Sequence, residues 1–311
     1  MKHTLVGYTG FVVGNLAAAH PFDWLYNSKN IRDSFGADNG LVIYSGMASE
    51  KYLANADPAA DLAKAEEAMD NIRRMRPEQL VLISTVDVYP DPECVYEDTP
   101  AGGEDGPAYG ANRLQLEHWV RAEYPQALIV SLPGLFGKGL KKNFIYDMLT
   151  ITPAALKPEK YEELARREPL VADSYLPGDG GFYRLQPLDG GKADALRRFF
   201  EGNDFNALAF TDSRSVFQFY NLARLWKDIE GCLGAGLPLA NLAVAPVEAG
   251  ELYQHLTGKS FVNHLEKPPA DYDMRTRFAL ILGGEDGYLA DKQQVLAEIA
   301  AFAEGWQLGN R

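Results

Sequence analysis

Cysteine, cationic charge and long apolar runs are what this sequence has least of. Its two cysteines, Cys94 and Cys232, stand far apart with no CxxC spacing and no neighbouring histidine, which argues against a disulfide framework or a thiolate metal site. The five histidines (His3, His20, His118, His255 and His264) show no metal-ligand spacing, so no metal is expected. Lys and Arg number 30 against 43 Asp and Glu, a formal net charge of -13. So acidic a surface repels phosphate backbones and anionic lipid, and neither nucleic acid nor a membrane surface is expected as a partner. An anionic small molecule needs only a local positive patch. No apolar run is long enough to span a bilayer. The opening MKHTLVGYTG lacks the apolar core of a secretory signal and runs directly into a strand pattern. A reducing cytoplasm is the expected location.

What is present is an alternation of two periodicities. The 311 residues, 46% hydrophobic and 23% charged, suit one large domain with a smaller satellite. His3–Gly7 reads as a strand, Phe11–Ala19 as an apolar helix and Phe22–Asn27 as a second extended run. Gly40–Tyr44 and Leu80–Thr85 are apolar on both faces, as is Ala127–Leu132. Between them, Leu62, Ala65, Met69 and Ile72 form one stripe of a helix closed by Pro77, and a second helix runs from about Tyr109 to Glu123. Continuously apolar strands separated by helices pair in parallel with both faces covered. The fold class is therefore α/β, a Rossmann-type doubly wound parallel sheet with a smaller C-terminal lobe.

The texture changes after Leu149. Residues 150–202 are rich in Pro, Gly and charge. Phe205–Glu230 predicts a strand at ALAFT and a long helix through Phe217, Tyr220, Leu225 and Ile229, and Leu237–Val244 predicts a further strand. The last helix carries Val295, Ile299, Phe302 and Trp306. The division expected is a nucleotide-binding domain over 1–149 and about 203–247, with a substrate lobe over about 150–202 and 248–311.

Gly7, Thr9, Gly10, Phe11 and Val12 lie between the first strand and the first helix. Glycine permits a sharp turn and close approach to a pyrophosphate, and the helix start offers oriented N–H donors. A plain β–α turn is the bland alternative. The segments GYTGF, LISTVDVYP, YGANRLQLE and LPGLFG, in that order, resemble the extended short-chain dehydrogenase/reductase family of NAD-dependent nucleotide-sugar epimerases, dehydratases and reductases. LAFTDSRSVFQFY and LPLANLAVAPV resemble its later elements more loosely. The family's third glycine position is held here by Val13, with Gly14 one step late.

The resemblance implies a nicotinamide cofactor bordered by Ser45, Gly46 and Met47 at the adenosine half, and by Leu135 in SLPGLFG. Asn27, Ser28 and Lys29 end the second extended run, where an acidic residue would bind ribose hydroxyls and repel a 2′-phosphate. An amide, a hydroxyl and a cation favour NADP over NAD; an incidental solvated loop is the alternative.

Tyr109 and Arg113 are four apart, on one helix face. The family carries Tyr-xxx-Lys, which implies that Tyr109 is the general acid/base, Thr85 its hydrogen-bonding partner and Arg113 the cation beside it. A free phenol is about 0.1% ionised at neutral pH. A cation about 5 Å away, at an effective dielectric near 20, would lower its pKa by about two units. Arginine supplies the charge but does not readily pass on a proton. Asp87, two after Thr85, matches the acidic residue of the family's dehydratases, and equally suits a turn near Tyr89 and Pro90. Asn143, beside Lys141 and Lys142, matches an Asn on the substrate diphosphate. Arg214, like Arg184 and Arg275, could clamp a phosphate bidentately or form a surface ion pair.

These readings predict an NAD(P)-dependent epimerase or oxidoreductase acting on a nucleotide sugar or related hydroxyl substrate, as a possible homodimer. A sugar dehydratase using Asp87 and a non-catalytic NAD(P)-binding sensor or scaffold are the alternatives, the latter because Val13, Arg113 and Ser131 depart from the family pattern.

Overall fold

In a computed structural model the apolar runs become adjacent strands of one sheet. The structure describes residues 1–47, 49–102 and 106–309. Its first elements are β1 (His3–Val6), α1 (Phe11–Ala19), β2 (Trp24–Tyr26), β3 (Leu41–Tyr44), α2 (Lys51–Ala56), α3 (Pro58–Met75), β4 (Gln79–Thr85), α4 (Ala108–Glu123), β5 (Leu128–Leu132) and β6 (Gly134–Phe136). The six-stranded sheet runs Leu239–Asn241, β5, β4, β3, β1, β2, and every pairing in it is parallel. All residues of β3 and β5 are buried, as helix-covered parallel strands require. Strand order reverses at β1, which has β2 on one side and β3 on the other. In open α/β sheets the crevice at such a switch, beyond the carboxyl ends, is where ligands bind.

Helix α3 shows how local chemistry fixes an element. Asp57 accepts a hydrogen bond from the Ala60 amide, Pro58 starts the first turn, and Arg76 ends the helix with φ 51°. Its buried stripe is Asp61, Ala65, Ala68, Asn71, Ile72 and Met75. The face is turned from the one expected through Leu62 and Met69, and a carboxylate sits in it. Ala68, Ile72 and Met75 join Val42, Leu80, Leu116 and Ile129 in one core cluster.

Two compact units divide the chain: 1–139, 216–247 and 271–297 form the first, and 140–215, 248–270 and the chain from 298 on form the second. Residues 203–215 thus cluster with the second unit and 271–297 with the first. Within the second unit a three-stranded antiparallel sheet has Tyr183–Leu185 between Ala155–Leu156 and Tyr175–Pro177, with Tyr161 stacked on Tyr183 at 3.7 Å.

Two expected elements differ. Ala207–Phe210 is a 3-10 turn rather than a strand. The Asn263 amide donates to the carbonyls of Leu208, Ala209 and Thr211, occupying groups that a sheet ladder would need. The helix expected through Phe217 and Tyr220 begins only at Leu225. Phe219–Asn221 is instead a strand paired in parallel with β6. Gln218 is buried and bridged to the backbone of Val244 and Met274, which holds this stretch extended.

Candidate functional site

The turn after β1 is tight and brings the ends of β1 and β3 together. Gly7 has φ +92°, and a Cβ there would lie 2.5 Å from the Ser45 carbonyl oxygen. Only glycine fits that close approach of the β1 and β3 ends. The Gly7 amide donates to Tyr26 O at 2.7 Å, and the Gly10 amide to Gly7 O at 2.8 Å. Gly10 is the N-cap of α1 and gives it no side-chain cap, and the first turn holds no acidic residue. Thr9 and Gly10 are exposed, while Phe11 and Val12 are half-buried. A positive helix end bordered by small residues is an anion site. Val13 is only 1% exposed, so the third-glycine position contributes a packed side chain. A Cβ at Gly14 would meet only Tyr8 O, at 3.9 Å.

Around this turn, Asn27 closes its own loop: its side-chain oxygen accepts the Lys29 amide at 2.9 Å, and its backbone amide donates to Asn30 Oδ1 at 2.8 Å. Ser28 and Lys29 are exposed. Ser45 bonds back to β1 through Val6 O at 3.2 Å. Gly46 sits against the Tyr44 ring, and half-buried Met47 packs on the core cluster that holds Tyr26 and Tyr44. Leu135 lies in β6, opposite Tyr220 in register. Asn15 of α1 clasps the end of this segment, accepting the Lys138 amide at 3.0 Å and donating to its carbonyl at 2.9 Å.

Thr85, Asp87, Tyr109 and Arg113 come together at the carboxyl end of β4. Thr85 Oγ1 accepts the Asp87 amide and donates to Asp87 Oδ2, both at 3.2 Å. A Cβ on Gly110 would stand 1.9 Å from Asp87 O, so the start of α4 rests directly on the Thr85–Val88 backbone. Arg113 is 5% exposed. Its Nη1 donates to Asp61 Oδ2 at 2.9 Å and to Tyr109 O at 2.8 Å, and its guanidinium lies 3.6 Å from the Tyr109 ring centroid.

Sequence reasoning missed two groups here. Lys51 Nζ lies 2.5 Å from Asp87 Oδ1 and 5.8 Å from the Tyr109 ring centroid. Asn55 accepts the Tyr109 amide at 3.0 Å. Both come from α2, six residues long and too short to show a helical period.

The Tyr109 phenol is pushed above its ordinary value, contrary to the expectation from a neighbouring cation. Burial is the largest cause; Arg113 opposes it, Asp87 reinforces it and Lys51 opposes it. With the side chain 8% exposed, loss of water outweighs both cations.

Asn143 and Arg214 belong to the second unit. Asn143 caps the helix Phe144–Thr150, accepting the Tyr146 amide at 3.1 Å from a backbone at φ 107°. Arg214 makes a fork with Asp212, with contacts of 2.9 and 2.7 Å. That pairing commits the guanidinium to a carboxylate. Arg275 is held likewise by Asp273. Ser131 faces Asn241 across the first unit's sheet, and the Ser131 hydroxyl and the Asn241 side-chain oxygen are buried without a partner. Among the described residues, no group of His, Cys, Asp and Glu could hold a metal ion, and no helix is long and apolar enough to cross a membrane.

No protein-family model matches the chain, and no curated protein matches it. Solved structures do. A dTDP-4-dehydrorhamnose reductase from Clostridium acetobutylicum is 13% identical, with 99% of this chain and 100% of that one covered and a TM-score of 0.63. RMD from Pseudomonas aeruginosa, complexed with NADPH, is 15% identical, with 98% and 99% covered and a TM-score of 0.61. TunA, an NAD-dependent NDP-hexosamine 5,6-dehydratase, is 15% identical, with 98% and 97% covered and a TM-score of 0.63. The chain shares the overall fold of these three solved structures.

Proposed function

We propose that the protein is an NAD(P)-dependent enzyme of nucleotide sugars, working as a reductase of a keto group, with Tyr109 as proton donor. The observation that carries the reading is the convergence of Thr85, Asp87 and the start of α4 with Tyr109 at the carboxyl end of β4, and burial adds to the phenol's hold on its proton. A tyrosine that keeps its proton at neutral pH is a poor base toward a sugar hydroxyl and a ready acid toward a carbonyl oxygen. The fold neighbours include dTDP-4-dehydrorhamnose reductases, which supports the same direction.

The chain's own geometry fits a dinucleotide. The Gly7–Gly10 turn is a cradle that a Cβ at Gly7 would fill, and the α1 N-terminus would face the pyrophosphate. Exposed Ser28 and Lys29 would meet the adenosine ribose and favour NADP, with Ser45, Gly46 and Met47 bordering the same half. A bound nicotinamide supplies the hydride chemistry. Tyr109 donates its proton to the substrate oxygen, and the Thr85 hydroxyl would add a second hydrogen bond there by turning its hydrogen from Asp87 Oδ2. Asp87 is tied to Lys51 and Thr85, which counts against the dehydratase alternative, in which it would act as a free base. Asn143 would serve the substrate diphosphate. Arg214 would do so only by leaving Asp212.

The test is turnover. NADPH and NADH oxidation is followed with dTDP- and UDP-linked 4-keto sugars as substrates. Wild type should turn over at least one of them, and Tyr109→Phe should lower kcat by about 100-fold or more. Dinucleotide binding without turnover, indifferent to Tyr109→Phe, would favour a sensor or scaffold.

A further inference from the structure

We propose that His3, His20 and Trp226 form an acid-sensitive clasp that fastens the start of β1 and the end of α1 to the helix Leu225–Gly234, and that a second proton on the two imidazoles opens it. The clasp lies at the amino edge of the parallel sheet, opposite the carboxyl edge that carries Thr85, and is independent of the catalytic reading.

The rings leave little freedom. His3 Nδ1 and His20 Nε2 are 2.9 Å apart, so one nitrogen carries the hydrogen and the other accepts it. His20 lies flat on the Trp226 indole, with centroids 3.7 Å apart and planes 14° from parallel. Phe22 meets His20 and Trp226 edge-on, at 5.0 and 5.6 Å, and His3 reaches the same indole at 5.6 Å. Trp226 is 9% exposed and stands in the first turn of its helix. His20 ends α1, with its amide on Leu16 O and an extended backbone at φ -144°. Beside the pair, Asp23 accepts the His3 amide at 2.8 Å and Lys2 Nζ at 2.9 Å. Three segments distant in sequence therefore meet through these rings.

The protonation states of the pair are not equivalent. When both rings are neutral, one hydrogen lies between them. One added proton is tolerated, because the charged ring still donates to its neutral neighbour. A second would set N–H against N–H and bring two positive rings together. Burial and the His3 charge hold the His20 imidazole below its ordinary value of 6.5, and Glu230 and Asp23 offset them only in part. The Asp23 charge is itself shared with Lys2. On acidification the unfolded chain takes up this proton first. The contribution of the clasp to stability is therefore complete above about 6.5 and is lost as pH falls through the His20 midpoint.

The clasp is tested on the full-length chain by NMR between about pH 8 and 4.5. The imidazole Cε1–H signals of His3 and His20 are assigned by their loss in His3→Gln and His20→Gln, and the Trp226 indole N–H by its loss in Trp226→Phe. His3→Gln should raise the His20 midpoint by about half a unit. In wild type the Trp226 signal should move with the His20 midpoint, a measurement that keeps the native pair and stands if His3→Gln folds poorly. A His20 midpoint unchanged in His3→Gln, or a Trp226 signal that stays still while His20 takes its proton, would overturn the proposal. Neither readout needs a cofactor or a substrate, so failure here leaves the enzyme reading as it was.

Discussion

The carbonyl oxygen of Asp87 and the Cα of Gly110 are so close that a side chain at 110 has nowhere to go: an added Cβ would be 1.9 Å from that oxygen. This contact brings α4, and with it Tyr109, against the end of β4. Alanine would gain about 1 kcal/mol over glycine from helix propensity alone. The overlap is with backbone, which cannot swing aside, and overpacking of this kind costs about 3 kcal/mol. Gly110→Ala should therefore lower stability by a net 2 kcal/mol or so, as read by urea denaturation. A variant as stable as wild type would show that the approach is looser than described.

Arg113 and Asp61, 6% and 4% exposed in their side chains, form a buried pair in which each partner depends on the other. Removing the guanidinium leaves Asp61 with the Asn112 side-chain amide as donor. Arg113→Met should cost about 3 to 5 kcal/mol. Adding Asp61→Asn should recover a large part of that loss, giving a coupling energy above about 1 kcal/mol in a double-mutant cycle. Strictly additive losses would contradict the pairing. Arg113→Lys, which restores the family motif, should not raise turnover, because here the residue clamps the ring.

Glu117, two turns along α4 from Tyr109, is 2% exposed, and burial pushes its carboxyl up to about 7 although Ser84 and Arg121 pull the other way. The unfolded chain releases this proton near its ordinary value of 4.5, whereas the folded protein keeps it to about 7. Between those values the native state binds more protons, so stability falls as pH rises through the window, and the full penalty is present above it. Glu117→Gln should be about 2 to 3 kcal/mol more stable than wild type at about pH 8, with little difference at about pH 4. Parallel stability–pH curves for the two proteins would rule this out.

How much of this was legible beforehand follows from the range of each signal. The parallel sheet was readable because LVIY, LVLIST and LIVSL are apolar on both faces, and the tight turn after β1 because Gly7 and Gly10 sit between a strand and a helix. The expectation that Thr85 and Tyr109 lie in one site came from the resemblance of LISTVDVYP and YGANRLQLE to family motifs. Lys51 escaped because a six-residue helix has no periodicity to show, and because its contact with Asp87 spans 36 positions. The role of Arg113 was unreadable for a similar reason: its partner Asp61 lies 52 residues away on α3, in a stripe expected to be apolar. The raised phenol depended on burial depth, which the residue types alone do not give. The strand expected at ALAFT failed because a distant Asn263 takes its carbonyls.

The central claim is that backbone amides between β1 and α1 hold a dinucleotide, and equilibrium titration of NADPH and NADH against the purified chain, followed by tryptophan fluorescence, tests it most directly. Wild type should bind saturably, with NADPH the tighter. Gly10→Ala, whose Cβ would meet Gly7 O at 3.2 Å and can be accommodated by a small shift, should bind about tenfold more weakly while remaining folded. A folded wild type that binds neither dinucleotide, or a Gly10→Ala protein that binds as well as wild type, would contradict it.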